Sequence, residues 1–309
     1  QWSPAIQKQL ADQLAALQPR ERMTVENWAA ERRVLPSGRT SMGGPWSWDV
    51  TPYLRGIVRA VNDPNVTKVV CRKSAQVGWT EGVINNVLGW MIDTSPMSAI
   101  AMFPREQAAK DFIREKFEPM AESSGDLRNH LDLRSRSSDN TQTYKGFPGG
   151  FFKLVGSNST TAVKSTAARM GIVEEPDDCN ANIRGQGDSI KLMEERCKTF
   201  ADKILLIGGT PTVKGFSSID DEMKQSDKRM FDVPCHECGH AEPLSWHYVH
   251  WQKADEPWHE IYGDNLPATA MYCCPGSQSR IGARQPRRND CFCQLDSWRE
   301  LGNAKRRPG

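Results

Sequence analysis

The run Lys73-Ser74-Ala75-Gln76-Val77-Gly78-Trp79-Thr80 lies between an apolar stretch, TKVVCR, and the segment EGVINNV. A strand, a loop of small residues and a helix in that order suit phosphate binding, because backbone N–H groups and the positive helix end face the anion. The usual pattern G-x-x-x-x-G-K-S/T would end on Gly78, Trp79 and Thr80, so Trp79 stands where lysine is usual and Lys73 where the first glycine is usual. A lysine at the start of the loop can still reach the β- and γ-phosphates from the opposite side. Gly78 lets backbone N–H groups approach, and Thr80 can place a hydroxyl on Mg2+. The competing reading is an incidental Gly-Trp-Thr turn after a buried strand.

Further along, ARMGIVEEPDD is an apolar strand that ends on Glu174 and Glu175. Carboxylates at the carboxyl end of a sheet strand can serve a nucleoside triphosphate such as ATP in two ways. One, Glu174 here, holds Mg2+; the other, Glu175, orients and deprotonates the attacking water. Two solvated carboxylates before a Pro-Asp-Asp turn would read the same way. The next strand, KILLIGGTPT, ends in polar residues, and Thr210 or Thr212 can sense the γ-phosphate, although a plain strand-to-helix turn explains them too. Loop, acidic strand end and polar strand end gain force together, because their order matches one architecture.

A different chemistry is written in Cys235-x-x-Cys238-Gly-His, half of a zinc knuckle, since two thiolates two residues apart can share one tetrahedral ion. Nine cysteines are an odd number, and Cys235, Cys238, Cys273 and Cys274 fall around two short turns. Metal binding or plain burial fits a reducing compartment better than a disulfide framework.

These residues need elements to position them. In the first 34 residues Ile6, Leu10, Leu14 and Leu17 form a helical stripe, a second helical run starts at Thr24, and LPSGRTSMGGPWSWDV reads as an extended connector. From Thr51 the texture becomes α/β, with PYLRGIVRAV and TEGVINNVLGWMI as helices. TKVVCRKSA, MSAIAMF, GGFFKLVGS, ARMGIVEE and DKILLIGGT are the strands, and RSRSSDNTQTYKG is a polar loop. Such alternation predicts a mostly parallel sheet with helices on both faces. The division expected is 1–50 as helical segment and linker, 51–231 as the α/β domain, and 232–309 as a small Cys/His-rich piece with a disordered basic tail.

At 38% hydrophobic and 25% charged residues the 309-residue chain is ordinary for a soluble globular protein. No stretch approaches the roughly 18 apolar residues of a membrane helix. The start carries no secretory pattern, which points to a cytoplasm. A net charge of +2 argues neither for nor against nucleic acid, so any DNA contact must come from local patches.

The runs VENWAAERRVLPS, GGPWSWDVTPYLRGIV, KSAQVGWTE, PREQAAKDFIREKFEPM, VEEPDD, LLIGGTPTVKGFSSID and VPCHECGHAEPLSW together resemble the large terminase subunit of lambda-type tailed phages, the GpA family, over about residues 20 to 251. The resemblance implies an ASCE-type P-loop NTPase: an ATP-hydrolysing motor in the cytoplasm of a bacterial host that moves double-stranded DNA into a procapsid. The implied partners are a small terminase subunit, a portal protein and further copies of the chain, with no membrane. In that family the loop lysine also stands first, which Lys73 through Gly78 and Thr80 match, and Tyr53, after Pro52, would stack on the adenine or else be a core tyrosine. The family has Asp where Glu174 stands. Its second cysteine pair implies Cys274 as a Zn2+ ligand, with Ser277 in the place of the last ligand and Cys273, His236, His240, Cys291 or Cys293 as substitutes. Arg169, Arg184 and Arg196 are candidates for an arginine finger. A full member continues into a nuclease, so the resemblance implies an ATPase portion without it, and the texture after Gly276 fits a frame change or a catalytically impaired prophage remnant. The tail arginines and lysine, Arg280, Arg284, Arg287, Arg288, Lys305, Arg306 and Arg307, either touch DNA or are solvated.

Overall fold

The computed structural model describes residues 22–38, 42–125, 127–131, 133, 140–158, 166–180, 187–235, 237–278 and 292–293, together with Ser3. The stripe at Ile6, Leu10, Leu14 and Leu17, and Arg184, His236, Cys291 and the basic tail lie outside the described residues, as do the side chains of Ser277 and Cys293. The chain divides into two compact units, Gln1–Ser47 with Leu54–Gln225, and Trp48–Tyr53 with Ser226–Gly309.

The first unit begins with helix α1, Val25–Arg32, opened by Thr24, whose hydroxyl accepts the Asn27 N–H. The connector that follows contains two short strands, β1 (Val34–Leu35) and β2 (Gly44–Pro45), paired antiparallel. Helix α2 is Pro52–Val61. Strand β3, Lys68–Arg72, leads through the Lys73–Gly78 loop into a wide π turn, Thr80–Asn85, continued by helix α3, Asn86–Asp93. Then come β4 (Ser98–Phe103), α4 (Glu106–Phe112), α5 (Glu118–Ser123), α6 (Leu127–His130), β5 (Tyr144–Phe147) and β6 (Gly150–Gly156). Strand β7 (Met170–Glu174), helix α7 (Ser189–Cys197), β8 (Ile204–Gly209) and α8 (Ser218–Gln225) complete the unit.

Six strands form one sheet in the order β3-β8-β7-β4-β6-β5. The first five are parallel and β5 is an antiparallel edge. Every residue of β7 and β8 is buried, as the apolar runs MGIV and ILLIG require of strands covered on both faces. Ile100, Met102, Val173, Leu205 and Ile207 pack on one face with Ile190, Met193 and Ile219. Alternate residues Ala99, Ala101, Ile172 and Leu206 are buried on the other. The β5 strand corrects the sequence reading, which placed its first residues in a polar loop. Lys145 there points inward and is only 4% exposed, with its ammonium on Glu118 and Asn140.

The helix after the loop is held at its far end by α1. Trp28 is fully buried, its indole N–H donates to Asp93 at 2.8 Å, and Arg32 and His130 reach the same carboxylate. The indole occupies the space over Gly89, where a Cβ would lie 2.0 Å from the ring.

Among its described residues the second unit contains an antiparallel pair, β9 (Val233–Pro234) with β10 (Ala241–Glu242), and a three-stranded antiparallel sheet in the order β11 (Val249–Lys253), β12 (Asn265–Cys273), β13 (Phe292–Cys293). No described helix is long and apolar enough to cross a membrane.

Because Trp28 is rigid and enclosed, Gly89→Ala overpacks the α1–α3 contact. It should cost about 1–3 kcal/mol, read as a lower urea midpoint with an unchanged slope.

Candidate functional site

Parallel pairing brings the carboxyl ends of β3, β8 and β7 level. Arg72 lies opposite Gly209 and Glu174 opposite Gly208. The chain stays in register just beyond: Lys73 N–H donates to the Gly209 carbonyl at 3.0 Å and Glu175 N–H to the Gly208 carbonyl at 2.8 Å. Such an edge is where ligands meet an open α/β sheet.

The loop turns through left-handed conformations at Gln76 (φ 58) and Gly78 (φ 76), and the Gly82 N–H closes its first helical bond on Gly78 at 2.7 Å. Ser74, Ala75 and Gln76 are exposed, Val77, Gly78 and Thr80 half-buried, and Trp79 buried. Lys73, only 9% exposed, forms an ion pair with Glu175. The other Glu175 oxygen accepts the Thr210 backbone N–H at 2.7 Å. Glu175 itself sits at φ 47, left-handed for a non-glycine residue, a strain characteristic of functional positions.

Glu174 is buried beside it, and the Trp79 indole N–H donates to its Oε1 at 2.5 Å. Burial pushes its carboxyl up to about 8, against the Trp79 hydrogen bond and the Lys73 charge, while Glu175 adds to the rise. Two features of this site were absent from the sequence reading. One is the Trp79–Glu174 bond. The other is Asp177, which accepts the backbone N–H and hydroxyl of Thr212, both at 3.0 Å, and the Ile219 N–H at 3.1 Å. Burial works to raise the Asp177 carboxyl, but hydrogen bonds from Ser217, Ile219 and Thr212 outweigh it and leave it lowered.

The structure thus gathers Lys73, Trp79, Glu174, Glu175 and Thr210, and Thr212 goes to Asp177. Arg169 and Arg196 belong to the opposite end of β7: Arg169 pairs with Asp202 and the Arg196 carbonyl accepts the Ala168 N–H, which removes both from the phosphate loop. Tyr53 belongs to the second unit, where its ring meets Phe231 edge-on at 6.0 Å.

In that second unit the sulfurs of Cys235, Cys238 and Cys274 lie within 4.8 Å of one another. The turn that presents the first two is closed by Gly239 N–H on the Cys235 carbonyl and Cys235 N–H on the His240 carbonyl, with Gly239 left-handed at φ 71. Cys273 and His240 are not in the cluster; the His240 ring faces Glu242.

A mostly parallel α/β sheet with a lysine loop and paired acids at its carboxyl edge has the arrangement of a phosphate-binding fold. A model of the family described as "Phage terminase large subunit gpA, ATPase domain" matches residues 40–291, and the chain belongs to that family. It is 24% identical over 258 residues to the terminase large subunit of Enterobacteria phage P21, covering 82% of this chain and 38% of that protein. To the same subunit of Escherichia phage lambda it is 23% identical over 260 residues, covering 82% of this chain and 39% of the relative. The chain therefore spans about two fifths of the curated relatives it matches. Its fold is similar to the crystal structure of the HK97 bacteriophage large terminase, with a TM-score of 0.52 at 15% identity, covering 66% of this chain and 42% of that one.

A carboxyl with a raised pKa favours its neutral form in the folded state. That contribution is complete below the ordinary glutamate value of 4.5 and is lost as pH rises to about 8. Glu174→Gln removes the loss, so its urea midpoint relative to the native protein should climb between about pH 5 and about pH 8.5. A pH-independent difference would refute the raised carboxyl.

Proposed function

We propose that this chain is the ATP-hydrolysing motor part of a phage DNA-packaging enzyme. The observation that carries the reading is the Glu175 carboxylate, suspended between the Lys73 ammonium and the Thr210 N–H at the carboxyl edge of the sheet. Lys73 is the group that receives the β- and γ-phosphates of ATP, aided by the N–H groups of Ser74 through Gly78 and by the start of the helix at Thr80. Once phosphate holds Lys73, the Glu175 carboxylate is released to accept a proton from water. The water oxygen forms a bond to the γ-phosphorus as the bond to the β-phosphate oxygen breaks, leaving ADP and phosphate. Thr210, bonded to Glu175 through its backbone, registers the change.

Thr80 and Glu174 supply hard oxygen donors for Mg2+, and they fit it. A buried carboxyl raised by desolvation is one whose ionised form a cation stabilises. Held by Thr80 and Glu174, Mg2+ would supply positive charge against that of the transferring phosphate.

Family membership supports double-stranded DNA as the translocated polymer, a small terminase subunit and a portal protein as partners, further copies of the chain as ring neighbours, and the host cytoplasm as the setting.

Steady-state ATP turnover of the purified chain, with and without linear duplex DNA, tests the reading. DNA should raise turnover, and Glu175→Ala should lower it by about 100-fold or more, with Lys73→Ala weakening nucleotide binding as well. Native turnover no higher than that of Glu175→Ala would sink the motor reading.

For the cysteine cluster we propose a structural Zn2+ bound by Cys235, Cys238 and Cys274. Sulfur donors presented by a tight turn suit that ion. Elemental analysis of protein purified without chelator should find Zn2+ in proportion to chain, lost in Cys238→Ser; metal-free protein with all three thiols titratable would exclude it.

A further inference from the structure

Trp79 occupies the place where the common phosphate loop has its lysine, and an indole cannot neutralise phosphate. Its ring is 3% exposed and lies across Gly208, where a Cβ would come within 2.2 Å of it. Gly208 belongs to β8, the strand between β3, which carries the loop, and β7, which carries Glu174. With neighbouring strands about 4.8 Å apart, a side chain from the loop must cross the whole width of β8 to reach the end of β7. A long flat ring can do so only over a residue without a side chain. Trp79 makes that crossing, and its N–H ends on Glu174 Oε1.

We infer that Trp79 is a positioning residue: by bridging β8 over Gly208, it fixes the Glu174 carboxyl to the same loop that presents Thr80. What the fixed carboxyl then does rests on the motor reading above, in which Thr80 and Glu174 face one Mg2+. The indole is a donor only, so it holds one carboxyl oxygen and leaves the other for a further partner. Thr80 follows Trp79 directly in the chain. The two oxygen donors, one at the start of the helical turn that follows β3 and its loop and the other at the end of β7, are thereby joined through a single side chain. The glycine is part of the device, because any larger residue at position 208 displaces the ring. Trp79→Phe keeps an aromatic ring at the loop but shortens it and deletes the bond.

Nitrogen-15 labelled protein tests this directly, since the chain has 10 tryptophans with separate indole N–H signals. The signal missing from Trp79→Phe is that of Trp79. Glu174→Gln, which keeps Trp79, should move that one signal as the acceptor changes from a carboxyl to an amide oxygen. No indole signal moving in Glu174→Gln overturns the inference, and this arm decides even if Trp79→Phe does not fold. The second arm titrates Mg2+ against binding of a fluorescent ATP analogue. Trp79→Phe should raise the Mg2+ needed by about 10-fold or more, with binding in excess chelator unchanged. An equal Mg2+ requirement in the two proteins also overturns it. Native protein that binds no nucleotide at all removes the motor reading instead, while the indole signals still decide whether Trp79 holds Glu174.

Discussion

The carboxyl edge of the sheet is organised around the direction of one carboxylate. Glu175 leaves β7 in a left-handed conformation, φ 47, which turns its side chain sideways across β8 instead of onward along the strand. A non-glycine residue pays about 1–2 kcal/mol for that state. Several contacts offset the cost. Lys73 supplies an opposite charge, Thr210 supplies an N–H, and Pro176 begins a tight turn that packs on Gly209, where a Cβ would come within 2.7 Å of the proline ring. Three strand ends are therefore joined through one side chain, and the proline that follows the acidic pair is part of what holds it.

The loop can be aimed only if the helix behind it does not slide, and two buried charges prevent that. At the far end Asp93 gathers Trp28, Arg32 and His130. At the near end Glu81, one residue after Thr80, takes a 2.7 Å bond from Arg33, whose side chain is fully enclosed. Burial pulls the Arg33 guanidinium down to about 10 against the opposing pull of Glu81, so it stays charged at neutral pH. Losing one partner of such a pair costs far more than the pair itself contributes, which makes this contact specific for one placement of the helix. The π turn over Thr80–Asn85 contains the near anchor, and wide turns of that kind recur at functional sites. In the same turn Gly82 allows close approach by Leu54 and Trp46.

Much of this was legible in the sequence. The five parallel strands announced themselves as apolar runs, and because a parallel sheet brings their ends together whatever the loops do, Lys73, Glu174, Glu175 and either Thr210 or Thr212 were expected along one edge. The edge strand β5 was hidden by Lys145, an inward-facing charge whose burial makes sense only once Glu118 and Asn140 are seen beside it. Trp79 read only as the loop residue in the usual lysine's place, since its partner lies 95 positions away and the reason it fits is a glycine on a third strand. Asp177 read as part of a solvated turn, and nothing in the run EEPDD says which carboxylate faces the neighbouring strand.

Asp177 also bears on how a change at Glu175 could travel. The two acids are spaced by two, and each holds a threonine of the β8 exit: Glu175 takes Thr210, and Asp177 takes Thr212 and the start of α8 at Ile219. The second anchor accepts hydrogen bonds from Thr212, Ile219 and Ser217 and has a lowered pKa, so it stays ionised and closed at neutral pH. The first depends on an ion pair that incoming phosphate would compete for. A rigid link beside a breakable one makes Thr210 the point of give, with α8 carried by its remaining contacts. Those contacts are the fully buried Ile219, packed in the core, and the partly exposed pairs Arg72 with Asp220 and Lys68 with Glu222, which hold weakly. Between the two anchors and the helix the chain presents Val213 and Phe216, the latter 87% exposed. Asp177 holds both ends of this turn, at Thr212 and at Ile219, and so ties it to the exit of β7.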